Sequence, residues 1–385
     1  IPAQEWLLRP GPRQIRVRIQ YPGGTLDGVT SQTGILLTLH NWGGTDCVGT
    51  ADPEVMAREF DVVALCVDYL QSGRAEGIED ERPYDFGWLQ ALDALRAVGY
   101  VQRALTAARH PFHAGRLYAV GGSGGANVAL MANKLAPRSF AGVVALSGMA
   151  KLNDDIAYGE PGGSPLSARW SRDPRSPYYL SPDAQDLRFV GHPAHLAEMK
   201  RLGNRAHLLV VHGVDDPVCP VTDTRELVSN LQAAGLPVEP IWVDAARVDG
   251  TLFRAPDHAV GDRTQLVLAL AGSGLRPDSP TAWIRRGPSD FDRNEDIRYV
   301  TSGGASVVAY RDGIPEGRFE AHRRLDADRT PVAFALLGLL IMGGVAVWNC
   351  RARKITTALF WARFVAPLTA ILLFGASLYC LWRRQ

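Results

Sequence analysis

The chain has 385 residues, with 41 basic and 40 acidic side chains and a formal net charge of +1. Its length is sufficient for a large buried core and exceeds that of one typical domain. The balanced charge provides no basic surplus for binding a polyanion, so we expect no nucleic-acid partner.

Cysteine usage is sparse and irregular. No C-x-x-C pair is present, so the sequence favours neither a disulfide framework nor a zinc cluster, and no metal is expected. Cys66 lies within an apolar run and is predicted to be a buried thiol, with a Cys47–Cys66 bridge as the alternative. The five cysteines are Cys47, Cys66, Cys219, Cys350 and Cys380.

Short apolar runs alternate with helical segments along the first 270 residues. Residues 14–20 alternate between polar and apolar and predict an antiparallel first strand. Uninterrupted apolar runs are typical of strands buried on both faces of a parallel sheet; they lie at 35–39, 62–67, 117–120, 143–146, 207–211 and 238–243. Helices are predicted at 88–108, 126–135, 223–234 and 263–270. The alternation predicts an α/β sandwich with a mostly parallel sheet.

Two motifs follow strands in the first half of the chain. His40-Asn41-Trp42-Gly43-Gly44 follows the strand at 35–39 and can place a backbone N–H in an oxyanion hole. Gly121-Gly122-Ser123-Gly124-Gly125 lies between the strand at 117–120 and a helix. This strand–turn–helix layout is that of a nucleophile elbow, in which small neighbours allow the strained serine. The alternative, a phosphate-binding loop, lacks the G-x-G-x-x-G spacing and the P-loop lysine.

Two further side chains would complete a catalytic triad. The strand at 207–211 leads into His212-Gly213-Val214-Asp215-Asp216-Pro217-Val218-Cys219-Pro220, which carries two candidate acids. His258 follows in a loop before the helix at 263–270. The order of the residues is therefore Ser, Asp, His, as in α/β-hydrolases.

Over residues 10 to 272 the sequence resembles an α/β-hydrolase of the esterase and prolyl-oligopeptidase-like group. The resemblance implies that Ser123 is the nucleophile, His258 the base and Asp216 the acid, with Asp215 as the alternative acid. It also implies that the N–H groups of Trp42 and Gly124 form the oxyanion hole. One departure from the family pattern is Asn41, where the second residue of a His-Gly pair is usual. No cofactor is expected for this chemistry.

Residues 151–204 interrupt the α/β alternation and are rich in Pro, Gly, Asp and Ser. We expect this insert to form a cap whose Trp170, Tyr178 and Tyr179 line the substrate pocket; the alternative is a plain surface excursion. His192 and His195 lie in the insert without a nearby carboxylate or cysteine pattern, so a metal site there is not favoured.

The sequence predicts three regions: a hydrolase domain at 1–274, a connector with a small β-hairpin at 275–330, and a transmembrane helical hairpin at 331–385. The two apolar stretches, 331–349 and 364–382, contain 19 residues each and no charged side chain. About 20 such residues cross the hydrocarbon core of a bilayer as a helix. The expected partners are therefore the lipid bilayer and possible further membrane subunits.

The orientation of this predicted integral membrane protein is weakly specified. Arginines precede the first span, follow the second and occupy the connection between them, so the positive-inside rule is nearly balanced. Because Ile1 is not a natural translation start, we expect residues upstream of it, and this favours an extracytoplasmic hydrolase domain.

Two functions are compatible with these features. The first is a membrane-anchored serine hydrolase that cleaves a small-molecule or acyl ester, thioester or amide, with a carboxylesterase preferred to a peptidase. The alternative is a structural or assembly subunit of a membrane complex that keeps the hydrolase fold but is weakly active or inactive.

Overall fold

The computed structural model describes residues 1–161 and 163–322. The strands are β1 Pro2–Ala3, β2 Arg13–Gln14, β3 Arg16–Gln20, β4 Gly34–Leu39, β5 Val62–Asp68, β6 Leu117–Gly122, β7 Gly142–Leu146, β8 His207–Gly213, β9 Val238–Val243, β10 Asp296–Val300, β11 Gly304–Arg311 and β12 Ile314–Ala321. The α-helices are α1 Pro53–Phe60, α2 Arg74–Gly77, α3 Trp88–Ala107, α4 Gly124–Leu135, α5 Asp154–Tyr158, α6 Pro182–Leu187, α7 Pro193–Arg201, α8 Val221–Ala233, α9 Arg263–Leu270 and α10 Gly272–Leu275. Short 3-10 helices occur at Pro22–Gly24, Leu26–Gly28 and Asp290–Asp292.

The predicted transmembrane hairpin, with spans at 331–349 and 364–382, lies outside the described residues. Among the residues that are described, no helix combines the length and the apolar character needed to span a bilayer.

Seven strands form the central sheet in the order β3-β5-β4-β6-β7-β8-β9. Only β3 is antiparallel to its neighbour, β5, and the other pairs are parallel. The prediction of a mostly parallel sheet with an antiparallel first strand is confirmed.

The parallel strands are buried on both faces, which explains their continuous apolar sequences. Successive side chains of a strand point to opposite faces. Leu37 of β4 belongs to the core cluster that α3 and α4 cover. Its neighbour Leu36 belongs to a second core cluster that includes α1 and α9 residues. The sheet is thus the middle layer of a three-layer sandwich.

Strands β4, β6 and β8 run in the same direction, so their carboxyl ends share one edge of the sheet. His40, Ser123 and Asp216 come shortly after the ends of β4, β6 and β8, respectively, and so lie at this edge. Residues separated by about 80 positions along the chain are brought together there, as is usual for sites in open α/β sheets.

The cysteine prediction was wrong at Cys66, which forms a disulfide with Cys47. Cys66 is paired with Thr38 in the β4–β5 ladder. The loop after β4 turns back over its own strand, so that Cys47 reaches the Thr38 hydroxyl and the Cα atoms of Cys47 and Cys66 lie 5.7 Å apart. The apolar pattern around Cys66 could not reveal this return of the loop.

The structure also differs from the predicted boundary at residue 274. Ile1–Ala321 form one compact unit, and the predicted hairpin gains a third strand in a sheet of order β10-β11-β12. Tyr299 and Tyr310 of this sheet donate their hydroxyls to the carbonyls of Lys134 and Leu135 at the end of α4. The terminal carbonyls of a helix lack partners within the helix. The two tyrosine hydroxyls therefore provide hydrogen-bond donors for carbonyls at the carboxyl end of α4. Strand β12 was missed because its sequence, IPEGRFEA, has no regular apolar alternation.

Candidate active site

Ser123 lies between β6 and α4 with φ 55° and ψ −121°, a conformation rarely adopted by residues other than glycine. The strand and the helix hold it there: its backbone N–H donates to the Leu146 carbonyl at 2.9 Å, and its carbonyl accepts the Ala126 N–H at 3.0 Å. A Cβ atom at Gly121 would collide with the Gly125 carbonyl. The glycines of the motif therefore permit the tight strand–helix crossing that presents the serine.

The two predicted oxyanion donors lie next to each other. A Cβ atom built on Gly124 would lie 2.8 Å from the backbone nitrogen of Trp42. Within the described part of the chain, no acceptor takes either of these two N–H groups. The Asn41 departure requires no positive φ at that residue; the positive φ values of this loop fall at Gly43, Asp46, Cys47 and Gly49.

The two candidate acids occupy different environments. Asp216 is buried, and its Oδ2 accepts the Nδ1–H of His258 at 2.8 Å. Its other oxygen accepts the backbone N–H groups of Val218 at 2.8 Å and Cys219 at 2.9 Å. Asp215 is exposed. The structure therefore brings Asp216, and not Asp215, to His258.

Burial raises the pKa of Asp216, but hydrogen bonds from His212, His258 and the Cys219 backbone outweigh it and hold the pKa well below the usual value of 3.8. His212 Nε2 lies 3.3 Å from the carboxylate and 2.9 Å from the Cys219 carbonyl. The carboxylate is therefore ionised at neutral pH and fixes the orientation of the His258 ring.

His258 lies in the loop between β9 and α9, with a side chain that is 25% exposed. The Arg263 guanidinium donates to the His258 carbonyl at 3.0 Å and so ties this loop to α9. No hydrogen bond joins the described Ser123 and His258 side chains. Catalytic hydrogen bonds of this kind are often long without substrate and shorten when it binds.

His40 braces the oxyanion loop from the end of β4. Its Nδ1 contacts the Asn41 carbonyl at 2.7 Å, and its Nε2 lies 2.5 Å from the Ser72 hydroxyl. Because a carbonyl only accepts, Nδ1 carries the proton; the Ser72 hydroxyl donates to the Tyr69 carbonyl at 2.7 Å. Burial lowers the pKa of His40 to about 4, so the ring is neutral at physiological pH.

The predicted cap packs over this edge of the sheet. Trp170 joins an apolar cluster with Trp42, Tyr84 and Met149 beside the elbow, and its indole N–H donates to the Tyr84 carbonyl at 3.0 Å. The Trp42 and Tyr84 rings stack with centroids 3.8 Å apart. Tyr178 and Tyr179 lie in a turned, partly exposed segment and are not members of the cluster. The structure thus brings Trp170 to the site but not these two tyrosines.

Sequence reasoning missed Cys219 and Arg263 as neighbours of the triad. The Cys219 thiol lies beside the Ser123 side chain, and burial raises its pKa well above the usual value. Ligand-type atoms of Asp216, Cys219 and His258 lie within 4.8 Å of one another. In this group, His258 Nδ1 and Asp216 Oδ2 are already joined by their 2.8 Å hydrogen bond. In the sequence, the position of Cys219 three residues after Asp216 could have identified it as a neighbour of the acid.

Residues 100–247 match the model of the prolyl oligopeptidase family. No curated protein sequence shows significant similarity to the chain. The matched segment contains β6, Ser123, β8 and Asp216, whereas His258 lies beyond its end.

Several solved structures are similar to the chain. Dipeptidyl peptidase 4 of Porphyromonas gingivalis is 16% identical, with a TM-score of 0.45, 67% of this chain covered and 32% of that one. Acylaminoacyl peptidase of Pyrococcus horikoshii is 12% identical, with a TM-score of 0.48 and coverages of 72% and 41%. Esterase 2 of Thermogutta terrifontis is 14% identical, with a TM-score of 0.38 and coverages of 60% and 77%.

The chain spans about a third of the length of the first structures that it matches. These low identities and TM-scores carry no statement about activity. Together with the family match, the observed topology and elbow show that the chain has an α/β-hydrolase fold.

Proposed function

We propose that this protein is a serine hydrolase that cleaves an ester, thioester or amide through an acyl-enzyme. The observation that carries the proposal is the 2.8 Å hydrogen bond between His258 and the buried Asp216. This pair lies at the sheet edge where the strained Ser123 is presented. A serine hydroxyl is a weak nucleophile at neutral pH and needs such an oriented base.

In the proposed reaction, Ser123 Oγ forms a bond to the substrate carbonyl carbon while His258 Nε2 takes the hydroxyl proton. The carbonyl π electrons move to oxygen, and the Trp42 and Gly124 N–H groups stabilise the resulting oxyanion. Collapse of the tetrahedral intermediate breaks the bond to the leaving group, which receives the proton from His258. Water then repeats the sequence, releasing the acid and restoring Ser123.

The proposal includes two types of scissile bond, an ester and an amide. The sequence analysis favoured an ester, whereas the description of the matched prolyl oligopeptidase family supports a peptide amide. Turnover of a short p-nitrophenyl ester should be compared with that of a peptidyl p-nitroanilide carrying the same acyl group. Turnover of the anilide would assign a peptidase, whereas turnover of the ester without detectable turnover of the anilide would assign an esterase.

A fluorophosphonate probe tests the hydrolase proposal. We expect covalent labelling at Ser123, established by peptide mass spectrometry, and loss of labelling in Ser123→Ala. Ser31→Ala, at an exposed serine far along the chain from the elbow, is the matched control. Failure of the folded wild-type protein to react would contradict the proposal and favour the structural-subunit hypothesis.

We also propose that residues 331–349 and 364–382 anchor the protein in a membrane, with the hydrolase unit outside the cytoplasm. The Cys47–Cys66 disulfide supports this side, because disulfides persist in oxidising compartments and are rare in the cytosol. In sealed membrane vesicles with the cytoplasmic face outward, added protease should leave the hydrolase unit intact until detergent is added. Digestion before detergent is added would place the unit in the cytoplasm.

A further inference from the structure

The amino-terminal edge of the central sheet, opposite the catalytic edge, carries a cavity of about 560 Å³. Its walls come from the segments that precede β7 and β8 and from residues 284–288. Strand β8 has seven residues and so separates the two edges by roughly 20 Å. The cavity is therefore distinct from the catalytic site, and its volume is in the range of small-molecule sites.

Five arginines line this cavity, and none of its lining residues is acidic. Arg205 and Arg286 are exposed, and their side chains form no ion pair or hydrogen bond with any residue that the structure describes. The lining therefore includes two arginines that have no paired carboxylate among the described residues. The five are Arg138, Arg205, Arg285, Arg286 and Arg293.

Arg285 is fixed in place without a carboxylate partner. Its guanidinium donates to the carbonyls of Ser139 at 3.0 Å, of Ala114 at 2.9 Å and of Gly287. Carbonyl oxygens orient the group, and the nearby carboxylates of Asp290 and Asp292 act on its charge without forming an ion pair with it. A cation held in this way in the lining of a cavity is preorganised for an anion, because little side-chain entropy remains to be lost on binding.

The remaining two arginines are paired with two carboxylates. Arg138 pairs with Asp290 at 2.7 Å, and both Arg138 and Arg293 contact Glu295 at 3.1 Å. The Nε–H of Arg293 is buried and has no acceptor among the described residues. A buried donor without a partner costs free energy that a bound acceptor would recover.

We propose that this cavity binds a phosphate-bearing organic anion. Guanidinium groups recognise phosphate oxygens through paired hydrogen bonds, and the unpaired Arg205 and Arg286 suit a ligand with more than one negative charge. The apolar side chains of Phe140, Leu202 and Ile284 in the same lining would accommodate its organic part. Two sources share this chemistry, a soluble phosphate ester and a phospholipid headgroup.

The test uses the full-length protein in a neutral detergent, with inorganic pyrophosphate as the first probe and short-chain phosphatidylglycerol as the second. Isothermal titration calorimetry should show one saturable site. The double variant Arg205→Gln/Arg286→Gln should weaken binding at least about tenfold, since two charge-assisted contacts are lost. The matched control Arg247→Gln removes an exposed arginine outside the cavity and should leave binding unchanged.

Binding of pyrophosphate alone would assign a soluble ligand, and binding of the lipid, with or without pyrophosphate, would assign a headgroup. Either result supports the proposed site only if the double variant loses the observed binding. Absence of binding by both probes, or equal affinity in the wild type and the double variant, would overturn the proposal. Fluorophosphonate labelling of Ser123 in the double variant reports its fold and the catalytic proposal independently, because the two edges do not share residues.

Discussion

The Asp216 carboxylate receives the His258 Nδ1–H on one oxygen and two backbone N–H groups on the other. An acid held in this way keeps the histidine in the tautomer that leaves Nε2 free to accept a proton. Asp215, one residue earlier, is exposed and makes no such contact. At the scale of single residues, one position along the chain separates the proposed triad acid from a surface carboxylate.

We predict that Asp216→Asn lowers kcat by about 10⁴-fold, because an amide would stabilise the wrong tautomer of His258. Asp215→Asn removes the same charge from the adjacent position and should change kcat by less than about tenfold. Steady-state kinetics with a p-nitrophenyl ester measures both. A larger loss in Asp215→Asn would transfer the role of the acid to that residue.

Titration of His40 should couple folding stability to pH. The folded pKa of about 4 lies below the unfolded value of 6.5, so the stabilising contribution is complete above pH 6.5 and is lost as the pH falls toward 4. The slope from this one proton is at most about 1.4 kcal/mol per pH unit. Urea unfolding at about pH 7 and about pH 5 should show a smaller decrease in His40→Gln than in the wild type. Equal decreases would show that His40 is not responsible.

At the scale of secondary-structure elements, the C-terminal sheet and α4 depend on each other. The Tyr310 hydroxyl donates to the Leu135 carbonyl at 3.2 Å, at the end of the helix that begins beside Ser123. A Cβ atom at Gly317 of β12 would collide with Leu92 of α3, so this sheet also packs closely on the neighbouring helix. The sheet therefore supports the layer that holds the elbow.

We predict that Tyr310→Phe destabilises the folded unit by about 1–3 kcal/mol, because the buried Leu135 carbonyl would lose its partner. Tyr100→Phe, at a tyrosine that is 46% exposed, should change the free energy of unfolding by less than about 0.5 kcal/mol. Chemical denaturation of both variants measures these changes in the free energy of unfolding. Equal effects would mean that the hydroxyl contact contributes nothing beyond surface solvation.

At the scale of the whole molecule, all residues of the proposed catalytic centre lie between His40 and Arg263, within the compact unit Ile1–Ala321. The two apolar 19-residue stretches contain no Asp, Glu, Lys, Arg or His side chain. The chemistry and the predicted membrane attachment therefore belong to different parts of the chain and can be separated experimentally.

Truncation after His322 should release a folded unit that still reacts with a fluorophosphonate probe and needs no detergent. The full-length chain should resist extraction by salt or carbonate, because two apolar helices hold a protein in a bilayer almost irreversibly. Sedimentation after each wash, combined with probe labelling, measures both properties. Aggregation of the truncated unit would show that residues beyond 322 belong to its folding core.

Local patterns in the sequence predicted much of the fold. Continuous apolar runs identified the doubly covered strands, because a strand buried on both faces needs no polar side chain. The glycines around Ser123 identified the elbow, since only small residues fit that crossing. The order of Ser123, Asp216 and His258 along the chain predicted which residues would meet at one sheet edge.

Tertiary structure decided what depends on contacts between distant segments. The return of the loop after β4 placed Cys47 against Cys66, and pairing with β11 formed β12 from a sequence without strand periodicity. The burial of Asp216 and the exposure of Asp215 follow from how the loops after β8 and β9 pack together. Side-chain periodicity encodes which face of an element is buried, whereas the partner across the fold is determined only when the chain has packed.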